Sequence, residues 1–194
     1  MRRSVRLLAA PMAALLLLTG CSSDGGSETF AFHSPGGQTE IFYEEAERKP
    51  VEDFHGESLR EPGEEIRLSD YEGEIVILNA WGQWCAPCRA EVDDLQETQD
   101  ELERRGTGTV LGINVRDYQP EISRDFLTDN HTTYPSIYDP PFKTASFLGG
   151  VPSSVIPTTI VLDAQHRPAA VFLREVTAQD LLDVVDRLEQ EDGA

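Results

Sequence analysis

The spacing of apolar positions changes several times along this chain, and the changes divide it. Leu7 to Leu18 is an almost unbroken apolar stretch behind Arg2, Arg3 and Arg6. It is too short to span a bilayer as a helix, which takes roughly 20 residues, so residues 1–20 predict a signal peptide. Ser22 to about Gln38 is rich in Ser and Gly with few apolar residues, which predicts a flexible tether over 21–38 without a fold of its own. Ile41-Phe42-Tyr43 is a short β-like run. Val51 to Leu59 with Ile66-Arg67-Leu68 predicts a hairpin around Pro62-Gly63.

From Glu74 the pattern strengthens. Ile75-Val76-Ile77-Leu78 is apolar at every position, as in a central strand buried on both faces. A helix is predicted from Ala86 to Arg105, with Val92, Leu95 and Leu102 inward and Gly106 as its stop. Thr109–Val115 predicts a second buried strand. Glu121–Thr128 predicts a helix with Ile122, Phe126 and Leu127 on one face, and Ser136–Tyr138 a short strand. Thr158–Leu162 and Ala169–Leu173 predict antiparallel strands joined by a turn at Asp163-Ala164-Gln165-His166. A last helix carries Leu181, Leu182, Val184, Val185 and Leu188 inward, with Thr177 as N-cap and Asp180 in its first turn. The order βαβα then ββα defines an α/β domain over 39–194, core about 50–190, with a mixed sheet and helices on both sides.

Charge changes the picture next. Residues 1–20 hold three arginines and no acid, so removing them moves the formal charge from −19 to −22. Such an acidic balance argues against nucleic acid and against electrostatic adhesion to anionic lipid. Basic partners are favoured, or the charge simply gives solubility. Leu18-Thr19-Gly20-Cys21 resembles the bacterial lipobox, which implies acylation of Cys21 and a mature chain that begins there, tethered by lipid on the outer face of the cell membrane. Arg2-Arg3 leaves both the general and the twin-arginine export routes open.

The remaining cysteines form one pair, Cys85 and Cys88, at a predicted strand-to-helix junction. A core of about 140 residues needs no disulfide staple. No further ligands stand at zinc-site spacing, and His33, His55, His131 and His166 are scattered, so no metal is expected. In the first turn of a helix the two sulfurs can close a disulfide with little backbone movement. Unpaired N–H groups there stabilise the first thiolate, which makes Cys85 the nucleophile and Cys88 the resolving thiol. The redox-active disulfide is then the whole prosthetic chemistry, with no other cofactor. Ala86 and Pro87 between the cysteines are candidates for redox tuning. Pro87 withholds a donor from the sulfurs, or merely shapes the helix start. Trp84 is a candidate shield and substrate contact, and Trp81 reads as packing at a strand end.

Asn79-Ala80-Trp81-Gly82-Gln83-Trp84-Cys85-Ala86-Pro87-Cys88-Arg89-Ala90-Glu91 resembles the active-site stretch of the TlpA/ResA-like thioredoxins, and Pro157-Thr158-Thr159 resembles their later strand start. The resemblance covers about residues 50–190. It implies a thioredoxin fold with an N-terminal β-hairpin extension, thiol–disulfide exchange outside the cytoplasm, and reduction of apocytochrome c as the use. It implies that Pro157 is a cis-proline against the disulfide and that the Ile156 backbone pairs with an incoming peptide; Pro152 is the rival proline. Glu91 matches an acidic residue that would raise the thiol pKa values and take the resolving cysteine's proton, unless it is a solvated helix carboxylate. Gln83 departs from the family, where a small residue is usual, and Gly149–Val155 looks like a short insertion.

The expected function is a protein-disulfide reductase, a monomer, recharged by a membrane thiol-electron donor because an oxidising compartment supplies no electrons. A disulfide oxidase or isomerase is the second reading, and a non-catalytic binding lipoprotein the third. A peroxidase is excluded, since an aromatic precedes a vicinal pair where a Thr or Ser would precede a lone cysteine.

Overall fold

The computed structural model describes residues 28–193, so the predicted signal peptide over 1–20 and Cys21 lie outside the described residues. The frame is a six-stranded mixed sheet. At its centre β4 (Ile75–Trp81), buried at every position as its apolar run requires, pairs in parallel with β5 (Gly108–Asn114) and antiparallel with β7 (Thr158–Leu162). β6 (Ser136–Tyr138) extends the β5 side in parallel. β8 (Pro168–Phe172) and then β1 (Glu40–Phe42) extend the β7 side antiparallel. The hairpin of β2 (His55–Glu57) and β3 (Glu65–Arg67) forms a separate two-stranded sheet. It is fastened to β6 by the Leu59 N–H, which donates to the Ser136 carbonyl at 2.8 Å.

Alternate positions of β4 serve different layers. Ile75 and Ile77 pack against Leu95 and Leu102 of α2 (Val92–Arg105) and Leu181, Val185 and Leu188 of α4 (Ala178–Asp192). Trp81, on the same face, meets Phe126 and Leu127 of α3 (Pro120–Asp129). Val76, Leu78 and Ala80 face the other way, onto Phe30, Val51, Phe54, Phe142, Leu148 and Val151. The long helices thus share one face, and short 3-10 helices with irregular segments cover the other. The reason is topological: β4, β5 and β6 advance in one direction through parallel crossovers of a single hand, so α2 and α3 land together.

Three differences from the predicted elements have local causes. The helix predicted over 86–105 is broken into α1 (Ala86–Ala90) and α2 at Glu91, whose φ is −85° and ψ −2° and whose carboxylate is taken up by the interior. On α3, Ile122 is 42% exposed while Ser123 and Leu127 are buried, because the Ser123 hydroxyl is anchored inward. The packed region also begins before residue 39. Phe30 is buried, stands edge-on to Tyr43 at 5.5 Å and donates its N–H to the Pro50 carbonyl, while Phe32 donates to the Gly149 carbonyl. Burial of one phenylalanine contributes roughly 2 kcal/mol, enough to dock a segment whose composition alone reads as tether.

The helix ends behave as expected. Gly106, at φ 69°, stops α2 in the left-handed conformation that glycine adopts freely. Thr177 and Asp180 cap α4 reciprocally. Arg48, its side chain 1% exposed, ties the N-terminal segment to α4 by bonds of 2.7 and 2.9 Å to the Glu191 carboxylate and lies 3.5 Å from Asp163. Among the described residues no helix is long and apolar enough to cross a membrane.

Candidate active site

β4 ends at Trp81, and within four residues the chain has turned into α1 with Cys85 at its N-cap. Cys85 and Cys88 are disulfide-bonded, both buried, with Cα atoms 5.3 Å apart. The Cys88 N–H points at Cys85 Sγ at 3.2 Å, so the first sulfur has the donor that a thiolate there would use. Because α1 is only five residues long, this stabilisation is a local N–H contact and not the dipole of a twenty-residue helix.

The loop before β7 closes over the pair. Ile156–Pro157 is the cis peptide bond among the described residues, and the Ile156 carbonyl oxygen lies 3.7 Å from Cys85 Sγ. Pro152, the rival, is trans. Trp84 is 42% exposed, with its indole N–H donating to the Val115 carbonyl at 3.0 Å and the Arg116 guanidinium 5.8 Å above its ring. The indole crosses Gly82 so closely that a Cβ there would sit 2.2 Å from Nε1, which explains the glycine. Ala86 and Pro87 are exposed on the outer side of α1. Gln83 is half-buried, with its N–H bound to Asp117. Trp81 is buried and donates to Ser136 Oγ, a packing role.

Glu91 is fully buried, which removes the solvated alternative. Its Oε1 accepts from Asn79 Nδ2 at 2.8 Å and its Oε2 from the Val176 N–H at 3.0 Å. Burial pushes its pKa up to about 7; the two hydrogen bonds oppose the rise, and the charges of Glu175 and Asp94 add to it. No cation lies against it among the described residues. Burial, and then the charge of Glu91, push the Tyr134 phenol up as well.

Several members of this arrangement escaped the sequence reading. Asn79 bridges Glu91 and Thr159 Oγ1, and its own Oδ1 is buried without a partner. One oxygen of buried Asp117 accepts from the Gln83 N–H, Asn114 Nδ2 and Ser123 Oγ, holding the loop ahead of Cys85 to β5 and α3. The signal for Asn79 was present: an amide inside an otherwise apolar central strand demands a buried partner. Asp117 gave no such signal, since an acid in a loop is ordinary. No cluster of metal-ligating side chains occurs among the described residues.

Sheet order, cis-proline and the capped cysteine pair define a thioredoxin-fold protein with its sulfurs arranged for thiol–disulfide exchange, as in the ResA, DsbE and DsbF type. The AhpC/TSA family profile matches residues 48–167, more than half of the chain, and the chain belongs to that family. It is 67% identical to a DsbF homologue from Corynebacterium diphtheriae, over 82% of this chain and 99% of that one, with a TM-score of 0.79. A structure described as a secreted thiol-disulfide isomerase from Corynebacterium glutamicum is 68% identical over 80% and 95%, also at 0.79. The thiol-disulfide oxidoreductase ResA of Geobacillus thermodenitrificans is 29% identical over 119 residues, 61% of this chain; the match spans 66% of the relative's own length.

Proposed function

We propose that this protein is an extracytoplasmic thiol–disulfide oxidoreductase that works in the reducing direction on disulfides of exported proteins. Apocytochrome c is the proposed substrate, a membrane thiol-electron donor the source of electrons, and a lipid on Cys21 the tether. The observation that carries the direction is Glu91, a buried carboxylate one helical turn beyond Cys88 with no cation to neutralise it. When ionised it disfavours a thiolate at the pair, which destabilises the reduced form relative to the disulfide and makes the couple a stronger reductant.

The exchange runs in two steps. The Cys85 thiolate attacks one sulfur of the substrate disulfide; a Cys85–substrate bond forms, and the second substrate sulfur leaves and takes up a proton. Cys88 gives its proton to the Glu91 carboxylate and attacks Cys85 Sγ. The mixed disulfide breaks and the remaining substrate thiolate leaves and is protonated. The substrate has gained two electrons and two protons, and Cys85 and Cys88 end as a disulfide. The Ile156 backbone beside Cys85 offers the edge on which an extended substrate aligns, and Trp84 flanks it.

The second reading, a disulfide isomerase, is favoured by the description of the 68% identical relative as a secreted thiol-disulfide isomerase. Equilibration of the Cys85/Cys88 couple against a dithiothreitol or glutathione buffer separates the two. A potential near about −270 mV supports the reductase, and one near about −180 to −120 mV supports isomerisation or oxidation and overturns it. Cys85→Ala abolishes exchange in either case.

A further inference from the structure

We propose that the site selects substrates carrying a carboxylate beside the cysteine under attack, and that Arg89 and Arg116 take that carboxylate. The inference rests on the reading of Cys85 as the attacking thiol and names the chemistry of what it attacks.

In a chain with 35 acids and 16 bases, an arginine normally finds a carboxylate. Among the described residues every arginine does so within 4.0 Å except three. Arg60 is one, half-buried on the carbonyls of Thr132 and Tyr134. The other two, Arg89 and Arg116, are exposed, and both reach the Gln83-Trp84 segment that leads into Cys85. Arg89 Nη1 donates to the Gln83 carbonyl at 2.8 Å; Arg116 lies over the Trp84 ring, and its Nη2 donates to the Ser153 carbonyl in the loop ahead of Ile156.

Each guanidinium thus spends one nitrogen on a main-chain oxygen and keeps the rest of its five donors for another acceptor. Arg116 is moreover held at φ 58°, a conformation unfavourable for a side chain of its size, with its N–H fixed to the Pro140 carbonyl. The acids nearest in sequence are withdrawn from both arginines. Asp117 is buried and accepts three donors through one oxygen, and Glu91 is buried against Asn79 and Val176. A substrate sulfur placed at Cys85 brings its flanking residues past two open guanidiniums, which suit a carboxylate better than any other side chain.

The overall charge argues for the opposite preference, since a chain at −19 attracts cationic peptides at long range. That opposition makes the test decisive. The reduced full-length protein in detergent is mixed with three peptide disulfides identical except for Glu, Gln or Lys beside the cysteine, at low and at high salt. The expected result is exchange about tenfold faster with the Glu peptide than with the Lys peptide, the ratio shrinking with salt. The Arg89→Gln, Arg116→Gln double variant is expected to lose the ratio, with its melting temperature and Cys85/Cys88 potential reporting that the fold and the pair survive. Equal rates, a faster Lys peptide, or a ratio that persists in the double variant overturns the proposal. Exchange with none of the peptides overturns the attacking role of Cys85 on which it rests.

Discussion

Two of the buried ionisable side chains, Arg48 and Glu91, are treated in opposite ways. Arg48 sits between the N-terminal segment and α4 with the Glu191 carboxylate on two of its nitrogens and Asp163 nearby. Burial opposes its charge, but Glu191 and then Asp163 outweigh that cost and raise its pKa, so it is ionised at every relevant pH. Glu91, three residues past Cys88, is buried with neutral donors only, an amide and a main-chain N–H, and its pKa is pushed up to about 7. A buried charge supplied with counter-ions serves as a clamp. One left without them becomes a group whose proton moves near neutral pH, the property an exchange site needs.

The comparison can be broken at either end. The largest expected effect is at the clamp: Arg48→Ala takes both bonds from the Glu191 carboxylate, leaves Asp163 on Arg167 alone, and should cost about 3–5 kcal/mol in urea denaturation, while leaving the Cys85/Cys88 potential where it was. A shift in potential would mean that the clamp and the site are coupled. Next comes Glu91→Gln. A carboxyl whose folded pKa lies above its unfolded value of 4.5 binds a proton more tightly when folded, so the protein loses stability as pH rises from about 4.5 to about 7. Removing the charge should therefore recover about 3 kcal/mol at pH 8 and nothing at pH 4, and flatten the stability profile between. A variant equally affected at both pH values would show that Glu91 acts through packing.

Smaller effects sharpen the contrast. Asn79→Ala deletes the donor on Glu91 Oε1 and should cost about 1–3 kcal/mol, while moving the midpoint of the pH–stability curve upward. An unmoved midpoint would leave Val176 as the dominant partner. Thr177→Ala removes the cap of α4 and should cost about 1 kcal/mol by thermal melting. Because Val176 precedes that cap, a small upward drift of the same midpoint is expected with it.

Legibility followed the physics of each element. β4 was visible because seven buried positions leave little room for polar residues, and Asn79 stands out within it for that reason. Thr158–Leu162 and the capped last helix were visible because turn and cap chemistry are local. The helix break at Glu91 was not, since no residue there is a helix breaker and the cause is a pull from β4 and from Val176. Phe30 looked like a stray aromatic in a Ser/Gly-rich stretch, because its partners Tyr43 and the Pro50 carbonyl lie far along the chain.

At the site, the sequence alone determined what depends on neighbours a few residues apart: a vicinal cysteine pair at a strand-to-helix turn, with Pro87 between the sulfurs. Tertiary structure decided whatever depends on who else is present. It set the proton affinity of Glu91, the joining of Ile156 to Cys85, and the openness of Arg89 and Arg116 in a crowd of carboxylates. The reason is that sulfur geometry is a matter of bond lengths within one turn, whereas the electrostatic cost of a charge is set by every group the fold brings within a few ångströms of it, or keeps away.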